Sequence, residues 1–287
     1  MSIRVYLGGR VCAPDEARIS VFDRGFLYGD SVYETVGTAH GRLFALGEHL
    51  NRLERSAERI GLRALPRAQI EAAVAETVRA ADNAESRVRI VLTRGAGQLD
   101  LDPTSVDDTQ LVVFVTPLVP PAREMYAEGV RVAIVSVVRN SPRAMDPAIK
   151  SGNYLNSVMA LGEARRQGAY EAILCGGDGT VAEGASSNVF LVKGGEVRTP
   201  GLDVGILDGI TRALVLGLCR AHGIPLAETR FTPDDLRAAD EAFITSATRW
   251  VLPVTRVDDA VLGDGRPGPV TRKLMDLLEQ VARKGVA

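Results

Sequence analysis

A chain of 287 residues, 46% apolar and 24% charged, has the composition of an ordinary globular protein and the length to bury two modest cores. Its formal net charge of -2 provides no basic field for nucleic acid or for an anionic membrane surface. No apolar stretch reaches the ~20 residues of a bilayer crossing, and "MSIRVYLGGRVCAPDEAR" holds no apolar signal-peptide segment, so a cytoplasmic protein is expected.

In chain order, "RVYLGGRVC" reads as a hairpin, and "SVYETVGTAHGRLFAL" as two strands about an "HGR" turn. In "GEHLNRLERSAERIG" the residues Leu50, Leu53, Ala57 and Ile60 make one helical stripe that Gly61 stops; "PRAQIEAAVAETVRAAD" is a second helix and "SRVRIVLTRG" a strand. Two β-rich runs, "LVVFVTPLV" and "VRVAIVSVV", flank "PPAREMYAEG", whose prolines and glycine mark a connection. This divides the chain into a small α/β domain at 1–118, a connection at 119–130 and a larger domain at 131–287. Beyond the connection, a helix is expected from near Asn153, burying Leu155, Val158 and Met159. The strands "EAILCG" and "SNVFLVKGGEVRTP", the helix "GITRALVLGLCRAHG", a helical turn near 233–239, the strand "EAFITSA" and a helix from about Pro269 complete an α+β pattern of two domains.

Cys12, Cys175 and Cys219 are scattered without a CxxC, which suits reduced thiols, and His40, His49 and His222 have no metal-ligand spacing, so no zinc is expected. Lys150 stands out because the chain meets its need for positive charge almost entirely with arginine, and only four lysines remain. A lysine amine can lose its proton and attack a carbonyl, which a guanidinium cannot do. Pro147 precedes Lys150 and "SGN" follows it, which puts it at the mouth of a helix, with the Tyr154 phenol four residues on.

"KSGNYLNSV", "VAEGASSNVFLV" and "GILDGITRALVL", in that order and preceded by "GDSVYETV" and "EHLNRLERSA", resemble the signature segments of the fold-type IV pyridoxal-phosphate enzymes. That family comprises branched-chain and D-amino-acid aminotransferases, some (R)-amine transaminases and aminodeoxychorismate lyases. The resemblance covers nearly the whole chain and implies pyridoxal 5'-phosphate (PLP) as cofactor, bound between the two domains. It further implies a homodimer in which a partner loop covers the substrate.

Carried over at matching positions, the resemblance makes Lys150 the residue that forms the internal Schiff base and then moves the proton, for which its pKa must fall from about 10.4. Glu183 would pair with the pyridine nitrogen and Asn188 would support it. Leu207 would pack on the ring, with Tyr154 beside it. The phosphate would rest on the helix start at Ile210 and Thr211 and on Ser246 and Ala247, gripped by Arg52. Relatives often carry threonine where this chain has Ala247.

Tyr33 and Thr35, on one face of their strand, match positions that line the substrate pocket, and Thr248 is a third candidate. "YET" departs from the "FEG" pattern of branched-chain enzymes, whereas "TRGAGQLDLDP" puts Asp100 and Asp102 where D-alanine-type enzymes carry an Arg-x-His pair. The expected activity is ping-pong amino transfer between an amino acid and a 2-oxo acid, with a branched-chain-like substrate favoured over a D-amino acid. Arg24, Arg94 and Arg249 are left as candidates for the substrate carboxylate. The alternatives are lyase-type C–N elimination releasing pyruvate, (R)-amine transamination, and a non-catalytic cofactor-binding protein.

Overall fold

The computed structural model describes residues 2–285. The chain divides into two compact units, one of residues up to 119 together with 149–153, the other of 120–148 and 154–284. The chain passes from the first unit to the second after residue 119, and returns to the first for five residues around Lys150.

The first unit contains β1 (Arg4–Leu7), β2 (Arg10–Cys12), α1 (Arg24–Tyr28), β3 (Ser31–Ala39), β4 (Arg42–Leu43), α2 (Leu46–Arg59), α3 (Arg67–Ala81), β5 (Ser86–Thr93) and β6 (Gln110–Pro117). Its strands form one antiparallel sheet in the order β2-β1-β6-β5-β3-β4. Both tight turns use left-handed backbone, at Gly8–Gly9 and at His40–Gly41, which matches the twist of the strands they join. On one face, Val32, Val36, Val88, Ile90 and Val113 meet Leu50, Leu53 and Ala57 of α2 and Ile70 and Val74 of α3 in a closed apolar core. The predicted stripe of α2 is therefore its buried side, and strand alternation sends Tyr33 and Thr35 to the opposite face of the sheet.

The second unit contains α4 (Arg123–Glu128), β7 (Val130–Ile134), α5 (Leu155–Arg166), β8 (Glu171–Cys175), β9 (Val181–Gly184), β10 (Asn188–Lys193), β11 (Glu196–Thr199), α6 (Ile210–Ala221), β12 (Leu226–Glu228), α7 (Pro233–Arg237), β13 (Glu241–Ser246), β14 (Trp250–Val257), β15 (Ala260–Val261) and α8 (Pro269–Lys284). The mixed sheet runs β12-β11-β10-β13-β14-β7-β8-β9, with β15 on β14. It is parallel at β11/β12, β14/β7 and β7/β8.

Two features depart from expectation. "PPAREMYAEG" holds the short helix α4 rather than connection alone. The helix after Lys150 does not bury its bulky residues: Leu155, Val158 and Met159 are 72%, 60% and 56% exposed, and Ala160 and Ala164 face inward instead. The reason is packing distance. Ala160 and Ala164 join Ala133, Ala169 and Ala172 in a small-residue cluster, which lets α5 lie close on β7 and β8 and turns its larger side chains outward.

Candidate functional site

Lys150 belongs to a short segment laid along the start of β3. Tyr33 N–H donates to Lys150 C=O at 3.0 Å and Gly152 N–H to Ser31 C=O at 2.9 Å, with Ser151 bridged to Val32. The Ser56 hydroxyl accepts from Lys150 N–H at 3.2 Å. The lysine backbone is thereby fixed, and its partly buried side chain carries Nζ to 4.8 Å from the centroid of the Tyr33 ring. The Arg89 guanidinium lies over the same ring at 3.9 Å. Arg89 faces Thr35 across the β3–β5 register, so Tyr33, Thr35, Arg89 and the Lys150 amine form one cluster on the open face of the sheet. Burial, and then the charge of Arg87, draw the Arg89 pKa down, as expected for a partly desolvated cation beside a like charge.

The three arginines left as candidates for a substrate carboxylate each pair within the protein. Arg24 is 3% exposed and bonds Asp30 and the Asp100 carbonyl. Arg94, 5% exposed, forks onto Asp30 and donates to the carbonyls of Ile60 and Gly61. Burial would raise the Asp30 pKa, but its bonds from Arg94 and Arg24 outweigh that and hold it down. Arg249 joins Glu171 at 2.8 Å, Ser246 Oγ at 2.9 Å and the Ser186 carbonyl at 2.8 Å. Arg89 was not among the sequence candidates, although the alternation "SRVRIV" put Arg87, Arg89 and Val91 on one face; what the sequence lacks is the register that sets Arg89 opposite Thr35.

Arg52, on α2, reaches the core side of β3. Its Nε and Nη2 fork onto Glu34 at 2.6 and 2.8 Å, and His49 Nδ1 lies 2.7 Å from the same carboxylate. Burial alone would raise the Glu34 pKa, yet the bonds from Arg52 and His49 bring it down to about 2. Arg52 is thus held rigidly by an acid within its own unit.

In the second unit, Glu183 lies on β9, 8% exposed. Its Oε2 accepts from Leu207 N–H at 3.0 Å, and Arg139 Nε lies 2.7 Å from Oε1. Burial, followed by the charge of Glu183, pushes the Tyr154 phenol up to about 12, so it stays a neutral donor. Tyr154 stands at the N-cap of α5. Asn188, at the start of β10, donates to Leu207 C=O at 2.9 Å. It fixes the turn leading into α6 rather than reaching outward.

That turn ends at Gly209, the N-cap of α6, which has no side-chain cap and no acid in its first turn. A Cβ at Gly209 would collide with Asn188 Oδ1, so only glycine lets the two segments approach. The uncapped N–H groups at Ile210 and Thr211 suit an anion, with the positive end of the helix dipole behind them. Ser246 ends β13, and Ala247 and Thr248 form the turn after it. The Glu171–Arg249 pair ties this turn to the "SSN" turn through Ser246, Ser186 and Ser187, a clamp invisible in sequence because its members are up to 78 residues apart. Each unit offers groups that fit PLP: the first an amine for its aldehyde, the second a buried carboxylate for its ring nitrogen and an uncapped helix start for its phosphate.

Among the described residues, no helix is long and apolar enough to cross a membrane, and the three cysteines are free thiols. The family described as amino-transferase class IV matches residues 31–257. A putative branched-chain-amino-acid aminotransferase of Methanocaldococcus jannaschii is 37% identical over 98% of this chain and 97% of its own length. A D-alanine aminotransferase of Bacillus licheniformis is 34% identical, covering 96% of each chain. The structure is similar to that of the branched-chain aminotransferase from the thermophilic archaeon Thermoproteus uzoniensis with norvaline, at TM-score 0.91 and 34% identity over 98% of this chain and 95% of the other.

Proposed function

We propose, for a chain that belongs to the class IV aminotransferase family and is a PLP-dependent transaminase, that Lys150 carries the chemistry and that the preferred donor is a branched-chain-like amino acid. When bound, PLP supplies an aldehyde that takes up an amino group and a ring that accepts the electrons of a broken C–H bond. Lys150 Nζ would bond the aldehyde carbon and, once displaced by substrate, take the α-proton and return it at the aldehyde carbon. Glu183 would hold the ring nitrogen proton, and the neutral Tyr154 phenol would donate to the ring oxygen. Leu207 would pack on the ring. The phosphate would be bound by the N–H groups of Ile210 and Thr211, by Ser246 and the backbone at Ala247, and by Arg52. What carries the reading is one set of donors, an amine on a fixed backbone, a buried carboxylate and an uncapped helix start, within a chain of this family.

Tyr33, Thr35 and Thr248 would line the substrate pocket, and Arg89 would bind a substrate carboxylate. The free carboxylate of a dicarboxylic 2-oxo acid is the natural ligand for a guanidinium stacked on a tyrosine. The relatives are aminotransferases, which does not favour elimination. A D-amino acid is the second substrate reading, on the similarity to D-alanine aminotransferases. A cytoplasmic homodimer is the expected state; exposed apolar side chains support the dimer, Leu155, Val158 and Met159 on α5, and Val21, Phe22, Phe26, Leu99 and Leu101 in the first unit. Assay of the purified enzyme with L-leucine, D-alanine and (R)-1-phenylethylamine against pyruvate and 2-oxoglutarate tests the substrate. An inert L-leucine reaction rejects the leading choice, and repeated turnovers of aminodeoxychorismate that release pyruvate with no 2-oxo acid acceptor present would establish elimination.

A further inference from the structure

We infer that Arg139 is a positioning residue that sets the Glu183 carboxylate for its partner, acting through Glu183 rather than by contact with substrate. The inference rests on the proposed role of Glu183 toward the ring nitrogen of the cofactor.

Arg139 lies after β7, on the segment leading to Lys150, and its backbone is anchored by Arg139 N–H donating to Cys175 C=O at 2.9 Å. Its side chain, 19% exposed, brings Nε to 2.7 Å from Glu183 Oε1. The contact is an ion pair rather than an aligned hydrogen bond: Nε is buried, and its N–H finds no acceptor at hydrogen-bond geometry among the described residues. The other oxygen, Oε2, is fixed by Leu207 N–H. Each oxygen therefore meets a positive group from the protein, one from the turn before α6 and one from the segment after β7.

A carboxylate 10% exposed at its side chain is costly to leave as a lone charge, and one guanidinium offsets that cost. Leu207 N–H meets one oxygen only, and Arg139 sets a cation against the other. With Arg139 on the second oxygen, the plane of the group is set from both ends. An ionised carboxylate offers about four acceptor directions, so it can take a ring N–H in addition to these partners. The misaligned Arg139 Nε is consistent with this: the pair supplies charge and position without spending an acceptor direction of Oε1.

The test compares apoenzyme affinity for PLP with affinity for the PLP analogue in which the ring nitrogen is replaced by C–H. A charge-assisted hydrogen bond to the nitrogen makes the natural cofactor bind roughly tenfold to a hundredfold better than the analogue. In Glu183→Gln that preference should collapse. In Arg139→Gln it should fall about tenfold while affinity for the analogue stays within about threefold of the parent, and Arg139→Lys should restore most of it. A loss that is merely structural would weaken both ligands alike, so the ratio separates the two roles, and thermal unfolding of each apoprotein confirms that the variants are folded. An unchanged ratio in Arg139→Gln beside a collapsed ratio in Glu183→Gln overturns the inference alone. An unchanged ratio in Glu183→Gln overturns both it and the proposed role of Glu183.

Discussion

Replacing Glu34 by glutamine keeps the volume of a fully buried side chain and removes the charge that Arg52 and His49 share. Two independent magnitudes bear on the cost. Removing one partner of a buried ion pair destabilises by about 3–5 kcal/mol, because the remaining charge is left uncompensated. The drop of the Glu34 pKa from 4.5 to about 2 corresponds to roughly 3 kcal/mol by proton linkage. The folded-state pKa is depressed, so this stabilisation is complete above pH 4.5 and is lost as the pH falls toward 2. Urea unfolding of parent and Glu34→Gln apoenzyme should therefore give a difference of about 3 kcal/mol at pH 7 that narrows below about pH 4.5. A difference under about 1 kcal/mol at pH 7, or one that does not narrow in acid, would refute the view that this carboxylate is held ionised by its two neighbours. Because Arg52 is fixed by the same bonds, the variant should also lose affinity for PLP while keeping its affinity for pyridoxal, a loss specific to the phosphate.

Other outcomes follow from the same geometry. Lys150→Ala should remove turnover by a factor of about 10²–10⁴ or more, measured with L-leucine and 2-oxoglutarate, and added methylamine should recover part of it. Arg89→Met should raise KM for 2-oxoglutarate roughly tenfold and leave KM for pyruvate nearly unchanged; equal rises would move Arg89 to the carboxylate the two acceptors share, and no change for either would remove it from the substrate site. Gly209→Ala should force the turn away from Asn188 and lower PLP affinity, read by fluorescence titration, whereas Gly217→Ala, in the open middle of α6, should be neutral or slightly stabilising.

Function and fold were legible in the sequence where they are written into a local pattern. The period of Leu50, Leu53 and Ala57 foretold the buried side of α2, and the two-residue alternation of "SVYETVG" foretold which face Tyr33 and Thr35 occupy. They were not legible where the answer lies across the chain. The bulk of Leu155, Val158 and Met159 suggested a buried stripe, but the alanines of two other elements decided which side of α5 faces the sheet. Strand β14 was hidden by Pro253, which is tolerated because the pairing with β7 begins only at Val254, one residue past it. For the candidate site, Lys150 drew notice by its rarity and its place before a helix, whereas Glu183 and the α6 start were indicated by the resemblance to fold-type IV enzymes. Arg89 and the Glu171–Arg249 clamp were not, since a register 54 residues apart and a bond spanning 78 leave no trace in any short motif.

The five residues around Lys150 that lie along β3 also bear on how the gene could be cut. Residues 2–119 expressed alone would leave Tyr33 N–H and Ser31 C=O without the groups that meet them, an open strand edge able to pair with a neighbouring chain. A fragment starting at 120 would carry the lysine on a segment deprived of the strand that holds its backbone. Split versions of the protein should therefore refold only when both pieces are present together, since the stitch that carries the lysine belongs to one fragment and the cloth it is sewn to belongs to the other.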